Sequence, residues 1–153
     1  GLFVGLEKNT IVFLVGIALI LSLSLPNIFN FFPNYYLYYN LFWGGPLKAQ
    51  KVFQIGLGEG HKEAFEYLAE KTNHQAKVAL LGYDNVTRFY YQGPLIEVKK
   101  NNQEWKKADY LVLNILKVQR YPIWSVVKYA QTHQPEYTVV LNGLPVMWIY
   151  RLK

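Results

Sequence analysis

VFQIGLGEGHKEAFEYLAEK, Val52–Lys71, passes from a short apolar run through three alternating glycines into an amphipathic helix. Its reading decides what kind of α/β fold follows. A Gly-rich turn that opens a helix is a common cradle for cofactors, because free N–H groups and the positive end of the helix dipole meet the ligand there. Gly56-Leu57-Gly58-Glu59-Gly60 is G-x-G-x-G, however, and lacks the GxGxxG spacing of a dinucleotide fingerprint. Glu59 and Glu63 also place negative charge beside a site meant for an anion. The expected role is structural: the glycines permit a tight turn, and Glu59 near the helix start favours the dipole.

The helix that follows, His61–Lys71, puts Ala64, Phe65, Leu68 and Ala69 on one face and Lys62, Glu63, Glu66 and Glu70 on the other. KVALLGY is then a continuous apolar run typical of a strand covered on both faces. DNVTRFYYQG predicts a short helix capped by Asp84 and ended by Gly93 and Pro94. LIEV and Asp109–Ile115 (DYLVLNI) are the next strands. YPIWSVVKYAQTH predicts a helix with Pro122 in its first turn and Pro135 as its stop. The end, YTVVLNGLPVMWIYRL, is two β-rich runs joined by Asn142-Gly143, a hairpin signal because both positions tolerate positive φ. The expected class is α/β: one N-terminal transmembrane helix, then a small sheet with packed helices and a C-terminal antiparallel hairpin.

The membrane expectation rests on Ile11–Leu25, IVFLVGIALILSLSL, an uncharged run closed by Pro26. With Asn9 and Thr10 it comes close to the minimum length for crossing a hydrocarbon core. Gly1–Leu6 is apolar too and reads as the end of an earlier spanning helix. A dense aromatic stretch follows, in which Phe31, Phe32, Tyr35, Tyr36, Tyr38, Tyr39 and Trp43 suit an interfacial belt. Gly16 and Ala18, with Ser22 and Ser24, offer small surfaces on which another helix docks. The chain thus divides into an anchor at 1–29, an aromatic linker at 30–47 and an α/β domain at 48–153. Gly1 in place of Met is expected of a processed product or of the tail of a longer chain.

Charge is unevenly placed. Residues 1–47 carry only Glu7 and Lys8, so the whole surplus of +6 lies in the later part. A basic domain of this kind suits anionic lipid headgroups and lipid phosphates. No basic cluster exceeds the pairs Lys99-Lys100 and Lys106-Lys107, so nucleic acid is not an expected partner. The chain has no cysteine, which excludes disulfides and thiolate metal sites. His61, His74 and His133 are scattered, so neither catalytic residues nor metal ligands nor a cofactor are expected.

Two family resemblances follow from these residues. The G-x-G-x-G turn looks like the first motif of S-adenosylmethionine methyltransferases, with Asp84 in the place of the ribose-binding acid. That family's sheet is larger than the short strands from Val52 onward supply. The run YYNLFWGGPLKAQKVFQIGLGEGHKEAFEYL resembles more specifically the segment after the last transmembrane helix of bacterial membrane glycosyltransferases of the dolichyl-phosphate-mannose protein mannosyltransferase type. The matching positions are Tyr39, Asn40, Gly44, Gly45, Gly58, Glu59, Gly60, Ala64 and Leu68. ADYLVLNILKVQRYP is similar to the family's Asp-Tyr strand and Gln-Arg pair, here Gln119-Arg120. The closing PEYTVVLNGLPVMWIYRL is similar to its terminal Asn-Gly hairpin.

The resemblance spans Asn30 to Lys153. It implies a sugar taken from a polyprenyl-phosphate donor and passed to an acceptor outside the cytoplasm, with residues 30–153 extracytoplasmic. The family's catalytic acids lie in an early loop that this sequence does not contain, so the chain is expected to be inactive alone. Lys48, Lys51 and Arg120 are the candidates for holding a lipid phosphate or a partner. A non-catalytic subunit of a larger membrane complex, docked by its helix, is the alternative expectation, and a methyltransferase the third. The expected partners are the lipid bilayer, other transmembrane helices and a polyprenyl-phosphate lipid.

Overall fold

The computed structural model describes residues 2–30, 32, 39, 44–54, 58–81, 85–100, 103–120 and 122–153; in the first helix the described side chains are 9–23, 25 and 29. The chain forms two compact units, Gly1–Tyr38 and Tyr39–Lys153.

The first unit is built on one helix, α1 (Leu2–Asn30). Two expectations change here. Leu2–Leu6 belongs to the same helix as Ile11–Leu25 and is not the end of another one. Pro26 does not close the helix. A proline withholds one N–H, that owed to the carbonyl of Ser22, and a long ladder absorbs this single loss. Among the described residues, no helix is long and apolar enough to cross a membrane. The described side chains of α1 include the uninterrupted run 9–23. Along it Ile11 to Val15, Ile17, Leu19 to Leu21 and Leu23 are all exposed, so no single face is apolar.

The second unit is α/β. In chain order it contains α2 (Gly45–Ala49), α3 (His61–Thr72), β1 (Val78–Leu80), α4 (Thr87–Tyr90), β2 (Leu95–Glu97), a 3-10 turn (Glu104–Lys107), β3 (Tyr110–Asn114), α5 (Ile115–Arg120), α6 (Trp124–Thr132), β4 (Tyr137–Leu141) and β5 (Leu144–Arg151). The five strands form one mixed sheet in the order β2-β1-β3-β5-β4. β1 is parallel to both β2 and β3, with Ala79 opposite Ile96 and Leu111. β5 returns antiparallel to β3, Val112 facing Ile149, and pairs with β4 across the hairpin. Asn142 and Gly143 have φ of 52° and 77°, the positive values that make Asn-Gly the preferred two-residue turn.

Helices cover both faces. On one face α3 buries Ala64, Phe65 and Leu68 completely against the sheet and α4. Each fully buried Phe or Leu contributes about 1.5–3 kcal/mol of transfer free energy. On the other face Trp105 of the 3-10 turn and Val126 of α6 pack with Ala79, Leu111, Leu113 and Tyr150. Between these layers all five residues of β3 are buried, which explains its unbroken apolar run.

Local details differ from expectation where the chain bends. Val52 and Phe53, the apolar lead into the glycines, lie in a turn and are exposed. Ile115 opens α5 instead of ending β3, because the Asn114 Oδ1 accepts the Leu116 N–H at 2.9 Å and so caps the helix. Pro122 precedes the cap residue Ile123 and stands outside the first turn of α6. α4 starts after Val86, and Asp84 lies outside the described residues.

Candidate functional site

The glycine turn is a packing element in this fold. Gly60 is the N-cap of α3 at φ 85°. A Cβ placed there would meet Val146 at 2.8 Å, Val139 at 3.2 Å and Met147 at 3.3 Å. Helix α3 therefore approaches β4 and β5 at a distance only glycine allows. Gly58, at φ 117°, presents its carbonyl to the Nδ1–H of the buried His61, which closes the turn. His61 in turn stacks on Phe65 at 6.1 Å. Residues 55–57, which include Gly56, lie outside the described set.

Of the basic candidates, Lys48 lies in α2 and Lys51 in the turn after it, both exposed. The Lys48 side chain lies over Gly44 and fills the place a Cβ there would take. Arg120 is the exposed last residue of α5, far away in sequence. The fold joins the two regions: the Gln119 Nε2 donates to the Gln50 carbonyl at 2.9 Å, which ties the residue before Arg120 to the residue between Lys48 and Lys51. The polar side chain of Gln119, from the Gln-Arg pair, thus fastens α5 to the α2 segment.

In α1, Ala18 and Ser22 are exposed and a Cβ on Gly16 would meet nothing within 4 Å. The Ser22 hydroxyl donates to the Leu19 carbonyl at 2.9 Å. The Ser24 side chain is outside the described set. Of the aromatic belt, Phe32 is exposed and Tyr39 half-buried, while Phe31, Tyr35, Tyr36, Tyr38 and Trp43 lie outside the described residues.

Two groupings escaped the sequence reading because they join distant segments, and so did one buried polar side chain. Lys71 of α3 binds Glu136, just before β4, at 2.7 Å, and the Tyr67 hydroxyl donates to the same carboxylate at 3.0 Å. Burial raises the Glu136 carboxyl, yet the hydrogen bonds from Lys71 and Tyr67 outweigh it and hold it below its ordinary value. The Glu136 hydrogen bond, then that to Tyr67, pushes Lys71 well above its usual range. An apolar groove of about 250 Å3 lies between α5, α6 and the sheet, lined by Leu113, Val118, Val127, Ala130, Trp148 and Tyr150 with the Gln131 amide. Asn114, 2% exposed at the end of β3, has no partner for its Nδ2 among the described residues. Its position after LVL in the sequence was the only signal for it.

Among the described residues no three His, Asp or Glu side chains converge on a metal position. Comparison of the chain with protein families, with characterised proteins and with solved structures finds no match.

Proposed function

We propose that the chain is the membrane-proximal C-terminal part of a polyprenyl-phosphate-sugar-dependent glycosyltransferase, with α1 as its last membrane helix and the α/β unit on the extracytoplasmic side. The observation that supports this reading best is the exposure of apolar side chains all round α1 from Ile11 to Leu23, which water would penalise and lipid or neighbouring helices would cover. The reading takes the uncharged run Asn9–Phe29, about 31 Å of helix, as one membrane-buried segment. Proline within it is tolerable where neighbouring helices meet the freed carbonyl.

In this reading the α/β unit has a positional role, covering the catalytic cavity or selecting the acceptor, and the reacting carboxylates come from elsewhere in the enzyme. Lys48, Lys51 and Arg120 attract the donor's phosphate. The packing of Gly60 against Val146 and Met147 supports a fold role for the Gly-Glu-Gly turn over a cofactor role.

A second reading, a non-catalytic subunit docked by its helix, draws support from the open space at Gly16 and from the exposed small residues Ala18 and Ser22, four positions apart on one face. Both readings place α1 among other helices, and gentle detergent extraction separates them. Recovery of lipid-linked sugar transfer with this chain inside a multi-helix polypeptide supports the enzyme. Recovery of a separate, catalytically silent chain bound to other proteins supports the subunit.

The absence of cysteine makes topology directly testable. Asn142→Cys, on the exposed hairpin, is expected to react with a membrane-impermeant maleimide on intact cells, and the chain to stay in the membrane pellet at alkaline pH. Labelling only after lysis, or release by carbonate, would overturn the proposal.

A further inference from the structure

After the five residues of α2 the chain continues to Phe53 through hydrogen-bonded turns. The Gln50 N–H donates to the Pro46 carbonyl at 3.0 Å, Lys51 to Lys48 at 3.1 Å, Val52 to Ala49 at 3.0 Å and Phe53 to Ala49 at 2.8 Å. Gly45, Pro46 and Ala49 are buried. In the same segment Leu47, Val52 and Phe53 are 54%, 73% and 61% exposed, and Lys48 and Lys51 are exposed too. Three large apolar side chains left in solvent together, in a coil that the Gln119 amide fastens to α5, call for a covering partner.

The chemistry of the face selects the partner. From Asn9 to Gly58 the sequence has no acidic residue, and Lys48 and Lys51 are its only charges. An apolar patch interleaved with lysines matches the boundary of an anionic bilayer, where apolar groups enter between headgroups while flexible lysine stems reach phosphates. The chain supplies proximity: Gly45 follows the last residue of α1, Asn30, by only fifteen positions.

We propose that the exposed residues of Gly45–Phe53 form a second membrane contact, in which Leu47, Val52 and Phe53 enter the headgroup region of an anionic bilayer while Lys48 and Lys51 bind its phosphates. The proposal rests on the reading of α1 as a membrane segment. Its consequence is that the α/β unit is pinned at two points, which fixes its orientation over the membrane surface.

The test uses the full chain reconstituted into phosphatidylcholine vesicles with and without phosphatidylglycerol. The chain lacks cysteine, so single environment-sensitive labels can be placed at Gln54→Cys beside the face, at Val15→Cys in α1 and at Asn142→Cys on the hairpin. With headgroup spin-labelled lipid the label at 54 is expected to be quenched, with acyl-chain spin-labelled lipid the label at 15, and the label at 142 is expected to be spared by both. Quenching at 54 is expected to fall to the level at 142 when Val52→Ser and Phe53→Ser are combined, and to weaken with Lys48→Gln and Lys51→Gln or without phosphatidylglycerol. Quenching at 15 but not at 54 would overturn the second contact and leave the membrane helix standing. Quenching at neither would overturn both. A label at 54 shielded from aqueous iodide yet untouched by lipid quenchers would assign the face to a protein partner and also overturn the proposal.

Discussion

At Gly60 a positive φ of 85° coincides with a filled Cβ position, so strain and overpacking add. Gly60→Ala is expected to destabilise the α/β unit by about 2–4 kcal/mol, read as a lower urea midpoint at unchanged slope. Gly143 is the control. It has a φ of 77° but nothing within 4 Å, so Gly143→Ala is expected to cost only about 1 kcal/mol. Equal losses at the two positions would remove the argument that α3 needs a bare backbone there. The contacts of Lys71, Glu136 and Tyr67 carry a pH prediction. Glu136 titrates below its ordinary value of 4.5 in the folded state, so its contribution is present above that value and is lost as pH falls through the lowered one. Lys71 is raised, so its contribution is complete below 10.5 and is lost only in strong alkali. The gap in melting temperature between the parent chain and Glu136→Gln is therefore expected to be flat near neutrality and to close in acid. A gap that persists at the lowest pH would assign the effect to packing.

Among the elements, α3 shows how a legible pattern becomes energy. Its apolar stripe is visible in the sequence, and Phe65 and Leu68 are fully buried. Leu68→Ala is expected to cost about 2–5 kcal/mol by urea unfolding, the range for a buried leucine whose cavity cannot collapse. In α1 the corresponding lesion is charge. On the proposed reading of α1 as a membrane segment, Val15→Lys is expected to cost about 2.5–3.5 kcal/mol of insertion free energy and to move chain from the membrane pellet to the alkaline-soluble fraction. Retention as strong as that of the parent chain would show that α1 is held by something other than lipid. α5 was not legible in advance because its start depends on the Asn114 side chain, which caps a helix only once β3 has delivered it to the buried end of the sheet.

Across the α/β unit, protection should follow the sheet order. β3 lies between β1 and β5 and is buried throughout, whereas β2, at one edge, has only three half-buried or exposed residues. Hydrogen exchange is expected to be slowest in β3 and β5 and fastest in β2, and equal exchange in all strands would contradict the order β2-β1-β3-β5-β4. What the sequence determined by itself is local: the stripe of α3, the continuous apolar run of β3, the Asn142-Gly143 hairpin, the uncharged run of α1 and hence the α/β class. Each follows from periodicity or turn chemistry within a few residues. Tertiary structure alone decided that β5 sits beside β3, that Gly60 touches Val146 and Met147, that Gln119 reaches Gln50, and that Val52 and Phe53 face outward. These depend on which distant surfaces bury each other. An apolar pair such as Val52-Phe53 has the same composition in a core strand and on an uncovered coil, so only the presence of a packed neighbour tells the two apart.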